Sequence, residues 1–277
     1  MNARDTLRDL TPPALWRLVR GLRRRWAGGA DWVYVPGGWS EAERLRGWNA
    51  PGVAALYRER WPAWMAHLDG TGPLAWAHEA PRPGGVAEQN THLVFAAALA
   101  RAACGQPRLS VLDWGGGPGH YARLARALLP ELTLDYHVCD LPGLVAVGRQ
   151  LAPEVTFHEG EDWAARSYDL VLASSALNYV RDWRATLAAL ARATAGYLLV
   201  TRLPTTDAAS YVFVQRASSN GYGTDYPGWC LARADFLAAG DDAQLALVRE
   251  FVIGEAPDIH AAPGPCQYRG YLFRRRA

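Results

Sequence analysis

The sequence predicts an α/β fold: a mostly parallel sheet with late antiparallel strands, preceded by an N-terminal helical cap. Three observations carry this expectation. From residue 86 onward, short apolar runs alternate with helical segments, the pattern of a parallel sheet covered on both faces. The stretch VLDWGGGPGHY, Val111 to Tyr121, sets a glycine-rich turn between one such run and the helix after it. Before residue 80 the character differs, with Trp16, Trp26, Trp32, Trp39, Trp48, Trp61, Trp64 and Trp76 among helical patches broken by PGG and APG. The exit APRPGG at 80–85 reads as a boundary, giving a cap over 1–85 and a second domain over 86–277.

In the cap, PALWRLVRGLRRRW (13–26) puts Leu15, Leu18, Val19, Leu22 and Trp26 on one helical stripe and arginines on other faces. Thr11 is placed to cap it, and Pro12 and Pro13 suit a first turn. A solvated helix docked on the domain is the favoured reading; the alternative is peripheral contact with an anionic membrane surface. In the second domain a helix over 87–103 leads to the strand RLSVLDW (108–114). The helix at 119–129, the strand at 133–140 and the helix near 142–151 follow. Strands at 154–160 and 168–175, a helix at 182–193 and a strand at 196–202 complete the alternation. ALVREFVI (246–253) and CQYRGYLFRRR (266–276) read as the late antiparallel strands.

At 277 residues and 50% hydrophobic, the chain suffices for one large core or a core plus a smaller domain. Lys+Arg 29 against Asp+Glu 27 leaves no basic excess for a nucleic-acid partner. Every cationic side chain is arginine, which reads first as compositional bias. Cys104, Cys139, Cys230 and Cys266 match no metal or redox spacing, and no acid cluster suggests a metal. With no secretory h-region and no membrane-length apolar run, the expectation is a reduced, cytoplasmic protein.

In a parallel α/β sheet, ligands bind beyond the carboxyl ends of the strands, where the loop at 115–119 lies. Glycines let its backbone approach a ligand, and the helix start offers free N–H groups. Asp113, Gly115, Gly117 and Gly119 spell D-x-G-x-G-x-G, without the GKS/T of a P-loop. The dinucleotide pattern G-x-G-x-x-G is met only if Ala122 replaces its last glycine, so an NAD reading is weakened but open. A carboxylate at Asp113 suits a cationic amino-acid tail better than a pyrophosphate. Asp140, ending the next strand, is placed for ribose hydroxyls, with Leu141 for the adenine face; both nucleoside readings expect an acid there.

This string resembles motif I of class I SAM-dependent methyltransferases, whose fold is a Rossmann-like sheet. The resemblance implies S-adenosyl-L-methionine (SAM) as cofactor, with Asp113 and the glycines at its methionine part. It also implies Asp162 and Trp163 at the adenine edge, and Ser174, Ser175 and Asn178 facing cofactor or substrate in YDLVLASSALNYVRDW. More narrowly, LTPPALWRLVR, GGWSEAE and VQRASSNGYGTDYPGWCLARADFLA resemble methyltransferases encoded in bacterial surface-polysaccharide gene clusters. A small-molecule or glycan-linked acceptor follows from that likeness, with O-methylation favoured. Where plant-type O-methyltransferases carry a His base before Asp-Trp, this sequence has Arg181, which is no base at neutral pH. His260, Asp225 and Tyr222 are the base candidates that remain. Gln215, Tyr226 and Trp229 are the expected substrate contacts, on a lid loop over 220–229. The rivals are an NAD(P)-dependent oxidoreductase and a non-catalytic methyltransferase-like partner in polysaccharide assembly.

Overall fold

The computed structural model describes residues 31–45, 47–77, 82–216 and 221–276. The arginine-rich segment 13–26 lies outside them. The described chain opens with β1 (Trp32–Tyr34), the single turn α1 (Trp39–Ala42) and α2 (Pro51–Leu68). The two-residue strands β2 (Trp76–Ala77) and β3 (Arg82–Pro83) pair with each other. The alternating part follows: α3 (Val86–Ala103), β4 (Arg108–Trp114), α4 (His120–Leu128), β5 (Thr133–Cys139), α5 (Pro142–Leu151), β6 (Thr156–His158) and β7 (Tyr168–Ser174). Then come α6 (Trp183–Ala193), β8 (Thr194–Thr206), β9 (Tyr211–Arg216), β10 (Asp225–Ala232), α7 (Arg233–Asp242), β11 (Leu245–Val252) and β12 (Gln267–Arg275).

Strands β6, β5, β4, β7 and β8 lie side by side and parallel, and antiparallel β12 separates β8 from β11. The strand order reverses between β4 and β7, which opens a crevice at their carboxyl ends. This is the Rossmann-like class I methyltransferase sheet with its late antiparallel strands. Its central strands are apolar throughout because both faces are covered. Val111, Leu112, Leu170, Val171, Leu198 and Leu199 are all fully buried. Helices α2 to α5 pack on one face and α6 and α7 on the other.

Two features depart from the sequence expectation. β8 runs past the end of β7 and continues into a second group of strands. Thr205 and Thr206 pair in parallel with β10, β10 pairs antiparallel with β9, and β9 with β1. The segment expected as a lid loop over 220–229 is thus half strand. Secondly, residues before 86 do not stand apart, since Trp32–Tyr34 completes the edge of this sheet. The helical part of the cap is α2, whose Val53, Tyr57, Trp61 and Trp64 recur at helical spacing and are all buried. Each such large apolar side chain contributes roughly 1.5–3 kcal/mol by leaving water. No helix among the described residues is long and apolar enough to cross a membrane. No described group of three or more His, Cys, Asp or Glu is arranged to hold a metal.

Candidate active site

A cavity of about 540 Å³ lies at the crevice, between the carboxyl ends of the parallel strands and the cap. One wall is the glycine loop. Gly115, Gly117 and Gly119 have φ of 74°, 58° and 96°, a region where a β-carbon is disfavoured. At Gly116 the constraint is space: a Cβ would lie 2.4 Å from the carboxyl carbon of Asp113. The loop backbone is therefore held flat against Asp113 on one side and exposed to the cavity on the other. Directly after it, His120 and Tyr121 begin α4 and line the same wall.

The nucleoside-sized end of the cavity is formed where β5 and β6 stop. Asp140 Oδ2 accepts from the Gly117 N–H at 2.7 Å and Oδ1 from the Leu141 N–H at 2.6 Å. Each oxygen keeps a further acceptor position, so the carboxylate can receive two hydroxyls from a ligand. Burial pushes its pKa up to about 6, against the two N–H donors that lower it. Leu141 is 36% exposed and presents an apolar face on the wall. Glu159 lines the wall beside it and is ion-paired with Arg149 at 2.5 Å.

The other sequence-predicted cofactor residues sit further back. Asp113 does not reach the cavity: it is buried beneath Gly116, where the sequence places it against the ligand's amino-acid tail. The Tyr136 hydroxyl donates to its Oδ2 at 3.3 Å, while Oδ1 has no partner among the described residues. Burial raises its pKa to about 8; Tyr136 works against that shift and nearby Asp140 adds to it. Asp162 is exposed at the start of a short 3-10 turn (Asp162–Ala165) and is not on the wall. Trp163 is buried in the core beneath α6, with its carbonyl accepting from the Tyr168 hydroxyl.

The opposite end is made by the carboxyl ends of β7 and β8, by β10, and by the cap. Ser174 lines it and shares a 2.8 Å hydrogen bond with the Tyr121 hydroxyl. Trp48 from the cap stacks on Tyr226 of β10 with ring centroids 4.4 Å apart, and both face the cavity. At the mouth, Trp39 stacks on Trp229 at 5.6 Å, and Glu43 pairs with Arg181 at 2.8 Å. Trp229 Nε1 in turn donates to the Arg181 carbonyl, so Trp229 anchors the mouth without lining the cavity. Gln215 accepts from the Tyr179 hydroxyl at 3.0 Å and holds that wall residue in place. Asn178 is fully buried behind the wall.

The three base candidates are not on the wall. His260 is exposed, its backbone bonded to Trp32 and Tyr34 of β1. Asp225 begins β10 opposite Arg216. Tyr222 is buried in the aromatic cluster with Val53, Tyr57, Leu144 and Tyr226. Residues on the wall that sequence reasoning passed over are His120, Tyr57, Glu159 and Arg202. His120 follows the glycine string directly, and its place at the helix start was the available signal. Its ring sits within 5.1–5.9 Å of Tyr57, Trp61 and Trp64, an aromatic nest supplied by α2.

The geometry can be set beside known proteins. Residues 77–237 match the family model described as a methyltransferase domain. The chain belongs to the methyltransferase-domain family. Among solved structures, the N-terminal domain of EvdMO1 with SAH bound is similar at 17% identity, with a TM-score of 0.50, over 79% of this chain and 97% of that one. Magnesium protoporphyrin IX methyltransferase from Synechocystis PCC 6803 gives 16% identity over 77% and 90% of the two chains, TM-score 0.46. The CcbJ methyltransferase from Streptomyces caelestis gives 16% identity over 66% and 89% of the two chains, TM-score 0.44. No curated protein sequence matches the chain. The shared feature is the class I methyltransferase fold, and the cavity described above occupies its strand-end crevice.

Proposed function

We propose that the protein is a SAM-dependent methyltransferase acting on the hydroxyl of a small, ring-bearing acceptor, including sugar-linked ones. One observation carries the reading: a glycine loop pressed open by Asp113 and a two-hydroxyl acceptor, Asp140, share one cavity with an aromatic roof. The donor set fits a nucleoside with an amino-acid tail, since the Gly116–Gly117 backbone, Asp140 and Leu141 are all presented to the same space. The likeness to surface-polysaccharide cluster enzymes supports a sugar-bearing acceptor, and with it a cytoplasmic place of work.

When bound, SAM supplies a methyl group already activated on a sulfonium. The protein's part is alignment, which accounts for much of the rate in such transfers. Trp48, half-buried and backed by the stacked, almost fully buried Tyr226, is the aromatic part of the roof against which an acceptor ring rests away from water. His120, the one imidazole among the described wall residues, is our candidate to take the acceptor's proton. Calorimetry with SAM, S-adenosylhomocysteine (SAH) and NADH tests the cofactor. Binding of NADH without SAM would favour an oxidoreductase and sink the reading. Mass spectrometry on a panel of nucleotide sugars, lipid-linked glycans and hydroxylated aromatics then tests transfer. SAM binding with no product across the panel would favour the non-catalytic rival.

A further inference from the structure

The mouth of the cavity is built differently from its floor. Val212 and Val214 of β9 pair with Trp229 and Pro227 of β10, so these four side chains share one face of the two strands. Trp39 from α1 and Leu45 just beyond it pack on that face. Because α1 is a single turn of four residues, it covers the face incompletely, and Trp39 and Leu45 stay half-buried. Pro227 is half-buried as well, and so is Val180, which follows the 3-10 turn Leu177–Tyr179. Trp39, Leu45, Val180 and Pro227 all line the cavity. Trp229 ties the segments together behind them. Its ring stacks on Trp39, and its indole N–H donates to the Arg181 carbonyl, next to Val180.

The charges at this mouth answer each other. Glu43 is on the wall, but its carboxylate is ion-paired with Arg181 at 2.8 Å, and both side chains are mostly exposed, so the pair belongs to the water side. On the sheet side, buried His120 and Tyr121, with Ser174 bonded to the Tyr121 hydroxyl, supply polar wall. A ligand entering here therefore meets large apolar side chains before it meets hydroxyls and an imidazole. Several such side chains left half-exposed around one opening are a recognition surface, and their continuity with the cavity makes the ligand itself their cover.

Resting on the methyltransferase reading above, we propose that the acceptor is an amphiphile: a hydroxylated ring bearing an uncharged hydrocarbon substituent, which lies along Trp39, Leu45, Val180 and Pro227 while the hydroxyl points inward. The mouth then selects acceptors by the apolar length trailing from the ring, since each methylene it covers leaves water. A ring without such a substituent gains nothing from these four side chains.

The test uses the full chain saturated with SAH, as wild type, Leu45→Ser, Val180→Ser and Leu45→Met, with binding followed by calorimetry. One series of titrants is phenol, 4-ethylphenol and 4-butylphenol; the other is methyl, butyl and hexyl β-D-glucoside. In wild type at least one series tightens about threefold to fourfold for each added methylene that the mouth covers. The series that does so tells an aromatic ring from a sugar ring. Leu45→Ser and Val180→Ser, on separate segments, each remove most of the gain, Leu45→Met keeps it, and all three variants bind SAH as wild type does. Equal binding along both series, absence of binding by every titrant, or a gain that survives both serine variants overturns the proposal. It is also overturned if both serine variants lose SAH, since those side chains then serve the fold or the cofactor. Failure of wild type to bind SAH is a different result: it removes the methyltransferase reading, and this inference with it.

Discussion

Replacing Asp113 by Asn should make the ligand-free protein more stable at neutral pH, and the gain should vanish in acid. Asp113 is 1% exposed, with one carboxyl oxygen unpartnered among the described residues and Tyr136 giving the other a long hydrogen bond. Burial moves its pKa from 3.8 to about 8. The unfolded chain therefore holds fewer protons at this site than the folded one between those values, and stability falls as pH rises. Each pH unit in that window is worth about 1.4 kcal/mol, so wild type loses about 2–3 kcal/mol between pH 5 and 7 from this group alone. Asparagine keeps the shape and an acceptor for Tyr136 but has no charge to bury. Urea unfolding of both proteins at pH 5, 6 and 7 measures the difference. The two curves should diverge by that amount toward pH 7. Parallel curves would show that Asp113 is ionised in the fold, and the account of the loop pressed against a neutral carboxyl would have to be abandoned.

Three further expectations concern the same region and its surroundings. Asp140→Asn should weaken SAH binding about tenfold or more in calorimetry while leaving the far-UV spectrum unchanged, because an amide with one acceptor oxygen cannot serve the Gly117 and Leu141 N–H groups and two ligand hydroxyls together. Gly116→Ala should cost about 1–3 kcal/mol in denaturant unfolding and impair SAH binding, since its methyl meets the Asp113 carboxyl and the loop must lift. His137 is held below its ordinary pKa of 6.5 by burial and by Arg166, with Asp135 opposing, and its Nδ1 lies 2.9 Å from His158 Nε2. Its contribution is present above pH 6.5 and is lost as pH falls through the lowered value. His137→Asn should accordingly flatten the acid side of the melting-temperature profile, an effect opposite in sign to that of Asp113→Asn.

The parallel sheet was legible because its strands are short apolar runs punctuated by glycine and by helix signals. RLSVLDW and β4 coincide, and the end of β5 at Cys139 sets Asp140 where the ribose argument needs it. The group of strands β1, β9 and β10 was not legible, because YVFVQR and DYPGWCLA acquire their meaning from pairing with each other and with Trp32–Tyr34. Local composition says nothing about such partners. Trp163 shows a related limit: the Asp-Trp pair is visible in sequence, but which way the tryptophan turns depends on the core beneath α6. Arg202 lies within β8, which was recognised in part, yet the bulge it forms with Thr201 opposite Gly270 is visible only in the pairing with β12. His120 was in plain view, and only the approach of α2 shows its role on the wall.

The pairing of β1 with β9 bears on how the molecule is made. Trp32 aligns with Gln215, so the two strands are separated by about 180 residues of chain. Contacts of such long range close slowly and late, after the intervening sheet gives them something to dock on. During synthesis β1 leaves the ribosome before β9 and must wait for it before it can complete the sheet edge. The roof over the cavity therefore forms only after β9 and β10 are in place. Cofactor binding rewards only the finished fold, and slow refolding should show up as late recovery of SAH binding, behind the recovery of secondary structure.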